Sequence, residues 1–240
     1  MRNTWIDPAY RDLPEPAARY ATAISRLDIA LADFMGELAR LGLDRDTMVV
    51  FTSDNGPADE YGADPRFFGS AGPFDGYKRD VFEGGMRVPA FVRWPGRIGG
   101  GLKDAAPSQF HDWMATLADA AGAATPPDSE GVSLLPRWSE GSASHARPSL
   151  VYSQYEFPWG GSTAAFREFE SRKAPVRGLQ QMLRVGDYVA LRTRIREGGA
   201  KTRLYNVVED PFQTNDLSAR PEQKGRLREM ERALDDRLCR

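Results

Sequence analysis

The 240-residue sequence carries one cysteine, Cys239, and two histidines, His111 and His145. A lone thiol makes no internal disulfide, and this inventory excludes both a cysteine-rich zinc site and a multi-histidine metal centre. No apolar run reaches the ~18 residues of a membrane-crossing helix, and the mean hydropathy of −0.52 agrees. The opening stretch from Met1 to Tyr20 has no apolar core of the signal-peptide kind. Charge of one sign is also missing. With 32 Lys+Arg against 34 Asp+Glu, the net charge is −2, so there is no basic surplus to displace counterions and no nucleic-acid partner is expected. What remains is 41% hydrophobic and 28% charged, the composition of an ordinary globular chain with room for one or two domains.

The first clear pattern is helical. Tyr20, Ile24, Leu27, Leu31, Phe34, Leu38 and Leu41 recur at alternating steps of four and three, and Gly42 follows as a stop. After a short polar linker, Thr47 to Thr52 is an uninterrupted apolar and β-branched run. It reads as a strand buried on both faces, at the centre of an α/β sheet. Ser53-Asp54-Asn55-Gly56-Pro57 supplies turn chemistry directly after it. The glycine-rich stretch from Ala58 to Gly85 is long for a connection, and its aromatic content points to an ordered, packed loop. Val88 to Trp94 reads as a strand. Ser108 to Ala121 reads as a helix with Ser108 as N-cap and Phe110, Trp113, Met114 and Leu117 inward.

Thr125 to Ser149, rich in Pro, Ser and Gly, is the candidate boundary, dividing the chain into 1–145 and 146–240. Beyond it Leu150 to Phe157 reads as a strand and 160–177 as a polar loop. Gln181 to Val185 and Tyr188 to Thr193 flank Gly186-Asp187 as a hairpin, and Thr202 to Val208 reads as a further strand. Pro221 to Leu238 closes the chain as a helix with Leu227, Met230, Leu234 and Leu238 inward. The expectation is an α/β chain whose second part is a small antiparallel sheet with a helix.

Candidate chemistry lies around the first strand and the glycine-rich stretch. Asp54 and Asn55 stand just past a strand's carboxyl end, where ligand sites of open α/β sheets lie. A carboxylate beside an amide carbonyl offers two hard oxygen donors suited to Ca²⁺ or Mg²⁺, and the same residues are also ordinary turn formers. Lys78 could set a point charge on a phosphate or sulfate oxygen, or be a solvated surface lysine. Glu83 and Arg87, four apart, read as a structural ion pair. Gly99-Gly100-Gly101 lacks the Lys-Ser/Thr that would make a P-loop. His111 reads as a helix-surface or packing residue. Tyr61, Phe67 and Phe68 read as loop packing, or alternatively as the lining of a substrate mouth.

Taken together, these motifs resemble the sulfatase family. The resemblance is carried by Leu41-Gly42-Leu43, by Thr47 through Phe51-Thr52-Ser53-Asp54-Asn55-Gly56-Pro57, and by Gly72-Pro73-Phe74-Asp75-Gly76-Tyr77-Lys78-Arg79-Asp80-Val81-Phe82-Glu83-Gly84-Gly85-Met86-Arg87-Val88-Pro89 with Arg93-Trp94-Pro95-Gly96. Leu204-Tyr205-Asn206, Asp210-Pro211 and Asn215-Asp216-Leu217 are similar to that family's closing segment. The resemblance implies an alkaline-phosphatase-like α/β sandwich with a small C-terminal antiparallel sheet and helix. It implies hydrolysis of a sulfate ester, either an aryl sulfate or a sulfated saccharide, at a bound Ca²⁺. By position Asp54 and Asn55 match two metal ligands, and Lys78 matches a lysine that contacts the sulfate.

Two family motifs have no counterpart in these residues: the upstream Asp-Asp pair of the calcium site, and the Cys/Ser-x-Pro-Ser/Ala-Arg motif that yields the formylglycine nucleophile. The chain therefore resembles the C-terminal half of a sulfatase. It is expected to be inactive alone, to bind calcium weakly, and to leave the Thr47–Thr52 strand without its usual sheet neighbours in the absence of the N-terminal half. A non-catalytic module that binds an anionic saccharide or a partner protein, and a phosphodiesterase or phosphonate hydrolase of the same superfamily, are the alternative readings.

Overall fold

A computed structural model describes residues 6–58, 64–139, 150–157, 178–196, 198 and 200–238. Tyr61, His145, Cys239, the 160–177 loop and the 145/146 boundary lie outside the described residues.

Helix α1 runs Glu15–Arg40, beginning five residues before the first residue of the sequence stripe. Its N-terminal turns are covered by the short turn Pro8–Tyr10, which bonds to it through the Asp7 N–H to Thr22 Oγ1 (3.0 Å) and through Tyr10 Oη and Ser25 Oγ (2.6 Å). The stop falls where the glycine predicts. Gly42 has φ +70°, and the Leu43 N–H closes back on the Leu38 carbonyl at 2.9 Å. The stripe itself is not enclosed. Of its seven residues only Leu38 is buried, while Tyr20, Ile24, Leu27, Phe34 and Leu41 are exposed.

Strands β1 (Val49–Thr52) and β2 (Ala90–Arg93) pair antiparallel, with Val49 opposite Arg93 and Thr52 opposite Ala90. Phe51 and Phe91 stack across the ladder with centroids 4.7 Å apart. Among the described residues this sheet has two strands. The sequence reading of β1 as buried on both faces is thereby corrected: all four residues are half-buried. A run of Val, Val and Phe fits a central strand, but burial needs sheet neighbours and covering layers that these residues do not supply. This is the state expected of the strand without its neighbours.

A short helix α2 (Glu83–Met86) interrupts the glycine-rich loop ahead of β2. Helix α3 (Phe110–Ala120) is capped by Gln109, not Ser108, in a reciprocal capping box with Asp112. Its buried face is also the reverse of the expectation. Asp112, Ala115 and Thr116 are buried, whereas Phe110, Met114 and Leu117 are exposed. The reason is a strap, residues 131–134, that docks on the polar side. Asp112 Oδ1 accepts the Val132 N–H at 3.0 Å, and Thr116 Oγ1 accepts the Leu134 N–H at 3.0 Å. A Cβ on Gly131 would stand 2.1 Å from the His111 carbonyl oxygen, so the strap lies this close only with glycine there. The strap leads into α4 (Leu135–Ser139), which packs Trp138 on Trp113 and donates Trp138 Nε1–H to Asp104 at 3.1 Å.

Strands β3 (Leu150–Phe157), β4 (Gly178–Val185), β5 (Tyr188–Arg192) and β6 (Arg203–Asn206) form one antiparallel sheet in that order. The expected hairpin is present: Val185 pairs with Tyr188 across Gly186-Asp187, and Gly186 has φ +59°. Helix α5 (Lys224–Leu238) covers one face. There Met230 and Leu234 pack with Leu183, Ala190 and Leu204, whereas Leu238 stays exposed. The opposite face holds Met182, Val189, Leu191 and Tyr205 against Val81 and Phe82 of the glycine-rich loop. With both faces covered, β4 and β5 are buried on both sides along most of their length, with Gln180 and Gln181 among the apolar residues. This core ties the sheet to the loop that carries Lys78.

Truncation at Leu234, which is 0% exposed, is expected to cost about 2–5 kcal/mol in Leu234→Ala. Leu117, 51% exposed, is expected to cost about 0.5 kcal/mol or less in Leu117→Ala. Urea denaturation of the two variants measures this directly, and similar losses would mean that the face assigned to α3 is wrong.

Candidate active site

β1 delivers the chain into Ser53-Asp54-Asn55-Gly56-Pro57 at its carboxyl end. The turn is stiffened by its own side chains. Ser53 Oγ donates to the Asn55 carbonyl at 3.1 Å, and Asn55 Nδ2 donates to the Gly56 carbonyl at 2.9 Å. The amide's donor end is thus committed locally, leaving Oδ1 as its acceptor. Asp54 is exposed, and Asn55 is half-buried.

Two main-chain bonds join this turn to the glycine-rich loop. The Gly56 N–H donates to the Gly85 carbonyl at 2.9 Å, and the Lys78 N–H donates to the Pro57 carbonyl at 2.8 Å. The backbones pass in direct contact. A Cβ on Gly56 would meet the Gly84 oxygen at 1.9 Å, and a Cβ on Gly84 would meet the Gly76 oxygen at 2.4 Å. Lys78 is thereby seated beside a residue two positions from Asn55, so the structure brings Asp54, Asn55 and Lys78 to one junction. Lys78 is half-buried.

The loop around Lys78 is buried and polar. Asp75, Asp80 and Glu83 are all buried, and Asp80 Oδ2 accepts the Tyr77 N–H at 3.0 Å. Arg79 adopts φ +74°, an uncommon conformation for a residue with a Cβ. The expected Glu83–Arg87 pair forms at 2.5 Å, and the same carboxylate oxygen accepts Arg184 Nη1 at 2.9 Å. Gln213 Oε1 accepts the Glu83 N–H at 2.9 Å, and Gln180 Nε2 donates to the Arg79 carbonyl at 3.3 Å. Sequence reasoning missed Arg184, Gln180 and Gln213. Only Gln213 had a signal, through its place in the closing segment that resembles the family. A glutamine or arginine inside an apolar strand carries no mark of what it will face.

Other candidates lie elsewhere or pack. His111 sits on α3 beside Asp112, Nε2 to Oδ1 3.7 Å, and is not part of the junction. Gly99, Gly100 and Gly101 line a cavity of about 380 Å³ with Phe91, Trp94 and Trp113. Phe67 packs edge-on to Phe68, which stacks on Tyr20 of α1. Phe68 also borders a hollow shared with Pro57, Ala58 and Asp64. The Arg66 guanidinium bonded to Asp64 holds that carboxyl below its ordinary range, and the two form an ion pair beside the turn.

The donor set at the junction suits a hard cation in kind, through the Asp54 carboxylate and the Asn55 amide oxygen. It falls short in number, since Ca²⁺ takes about six to eight oxygens. No cluster of three or more His, Cys, Asp or Glu able to hold a metal occurs among the described residues. None of their helices is long and apolar enough to cross a membrane.

The sulfatase family model matches residues 3–123. Rat N-acetylgalactosamine-6-sulfatase is 38% identical over 125 residues, which cover 51% of this chain and 24% of that protein. A structure solved with its substrate D-glucosamine-2-N,6-O-disulfate superposes with TM-score 0.65 at 22% identity, covering 90% of this chain and 38% of the other. A phosphonate monoester hydrolase from Silicibacter pomeroyi superposes with TM-score 0.64 at 19% identity, covering 96% of this chain and 43% of the other. The chain thus spans less than half the length of these relatives. Its fold is the α/β fold of the alkaline-phosphatase type, and the chain belongs to the sulfatase family.

Proposed function

We propose that this chain supplies part of a sulfuric-ester hydrolase site, with Lys78 contacting the sulfate and Asp54 and Asn55 giving two oxygen ligands to Ca²⁺. The observation that supports this reading is the main-chain junction that seats Lys78 against the Asp54-Asn55 turn, in a chain of this family. Sulfuryl transfer leaves negative charge on the non-bridging oxygens, and a fixed ammonium beside them lowers the barrier electrostatically. Calcium, when held, would supply Lewis-acid neutralisation of the same oxygens.

The substrate is a sulfate ester, an aryl sulfate or a sulfated saccharide. The disulfated glucosamine bound to one structural neighbour, and the rat relative's name, support the saccharide. The nucleophile and the remaining metal ligands come from elsewhere in the fold, because no Cys/Ser-x-Pro-Ser/Ala-Arg motif occurs in the 240 residues. The N-terminal half of the family's fold is the expected source. The exposed stripe on α1, the exposed Phe91 and the exposed Phe110, Met114 and Leu117 support an uncovered layer of that kind. The missing nucleophile also favours a second reading, a non-catalytic module that binds an anionic saccharide.

Three measurements test this reading, and the third separates it from the second reading. The purified 240-residue chain is expected to turn over a chromogenic aryl sulfate no faster than its Lys78→Ala variant, and turnover well above that control would show that no outside nucleophile is needed. In calorimetry, Ca²⁺ is expected to bind at roughly 10⁻³ M or weaker, the regime of sparse coordination; micromolar binding abolished by Asp54→Ala would contradict the two-ligand reading. Translated in frame, the DNA upstream of the Met1 codon is expected to encode an Asp-Asp pair and the nucleophile motif. An in-frame stop there would favour the non-catalytic module.

A further inference from the structure

We propose that Glu83 is a positioning residue for Lys78, and that through it the C-terminal antiparallel sheet sets where the ammonium stands. The importance of Lys78 rests on the function proposed above; the clasp itself does not. Four observations carry it.

Glu83 is 2% exposed, yet its Oε2 accepts Arg87 Nε at 2.5 Å and Arg184 Nη1 at 2.9 Å. One carboxylate oxygen therefore joins the short helix after the Lys78 loop to strand β4, 101 residues away in sequence. The Glu83 backbone is held by the same half of the chain, through Gln213 Oε1. Gln213 is fully buried and adopts φ +54°, a conformation that a side chain tolerates only when its surroundings dictate it. On the near side of the loop, Gln180 of β4 binds the carbonyl of Arg79, the residue next to Lys78, itself at φ +74°. Between these anchors Val81 and Phe82 are buried against Met182, Val189, Leu191 and Tyr205.

Apolar burial alone would hold the loop to the sheet without fixing its register, because hydrophobic contact is non-directional. A buried carboxylate is different. It must keep a cation beside it, and each guanidinium bond it accepts has a fixed direction. The Glu83 pairing is directional, it lies five residues from Lys78, and it acts on the segment whose other end is bonded to Pro57. Its effect on chemistry runs through the loop.

The test is amide hydrogen exchange on the full chain, without substrate or metal. In Glu83→Gln, exchange at Lys78 and Gly56, the two amides of the junction, is expected to accelerate by about tenfold or more through local opening, with the β4–β5 ladder amides unchanged within about twofold. Arg184→Met is expected to do the same, and Arg184→Lys to restore much of the protection. Unchanged exchange at Lys78 and Gly56 in both Glu83→Gln and Arg184→Met would overturn the proposal. So would an equal acceleration across the β4–β5 ladder in both, because that is a general structural role. If Glu83→Gln does not fold, the Arg184 pair decides alone by the same criteria. Protection that depends on Glu83 while Lys78→Ala leaves sulfate-ester chemistry of an assembled enzyme unaffected would sink the functional reading and leave the clasp standing.

Discussion

The close passage of two backbones at Gly56 and Gly84-Gly85 is the constraint on which the candidate site depends. With the Gly56 N–H bonded to the Gly85 carbonyl and the Lys78 N–H bonded to the Pro57 carbonyl, the turn after β1 and the loop before β2 are fastened to each other. No side chain larger than hydrogen fits at the crossing, since a Cβ at Gly56 would overlap the Gly84 oxygen. The crossing costs the conformational entropy that glycine carries in the unfolded chain, and that cost is offset elsewhere. Part of the offset is the burial of Val81 and Phe82 in the C-terminal sheet.

The two parts of the molecule are stabilised in different ways. The C-terminal sheet has apolar matter on both faces, α5 on one and the Val81-Phe82 segment on the other. The region around α1, β1, β2 and α3 is held mainly by polar and main-chain bonds. The strap on α3 uses Asp112 and Thr116, α1 is anchored by Thr22 and Ser25, and α4 reaches Asp104 through Trp138. Apolar stripes in that region face outward. A link between the two parts runs from Gln109, the cap of α3, whose Oε1 accepts the Tyr152 N–H of β3 at 3.1 Å.

Local chemistry makes much of this legible in the sequence. The α1 stop at Gly42, the Gly186-Asp187 hairpin, the inward Met230 and Leu234 and the Glu83–Arg87 pair all depend on residues close in sequence, or on a period that shows in one segment. What periodicity does not reveal is which face of an amphipathic helix finds a partner. The stripe on α3 is plain in the sequence, yet it is not the buried side, because the decisive strap lies some twenty residues downstream and docks through polar atoms. The same limit applies to β1, whose composition is that of an interior strand and whose burial depends on neighbours outside it. At the junction, Asp54, Asn55 and Lys78 stand out by type and by resemblance. Gln180 and Arg184 do not, because partners 101 residues apart leave no local trace.

The strand order β3-β4-β5-β6 has a kinetic side. Neighbours in the sheet are neighbours in sequence, and the β4–β5 turn closes across two residues. Such contacts form at small loop-closure cost and favour rapid ordering. The bonds that seat the Lys78 loop close far longer spans, such as the 130 residues between Glu83 and Gln213. A sheet that is already formed presents Gln180, Arg184 and its apolar face together, so the loop meets one preassembled surface instead of closing each long span separately. The topology favours ordering of the sheet before the long-span bonds that tie the Lys78 loop to it.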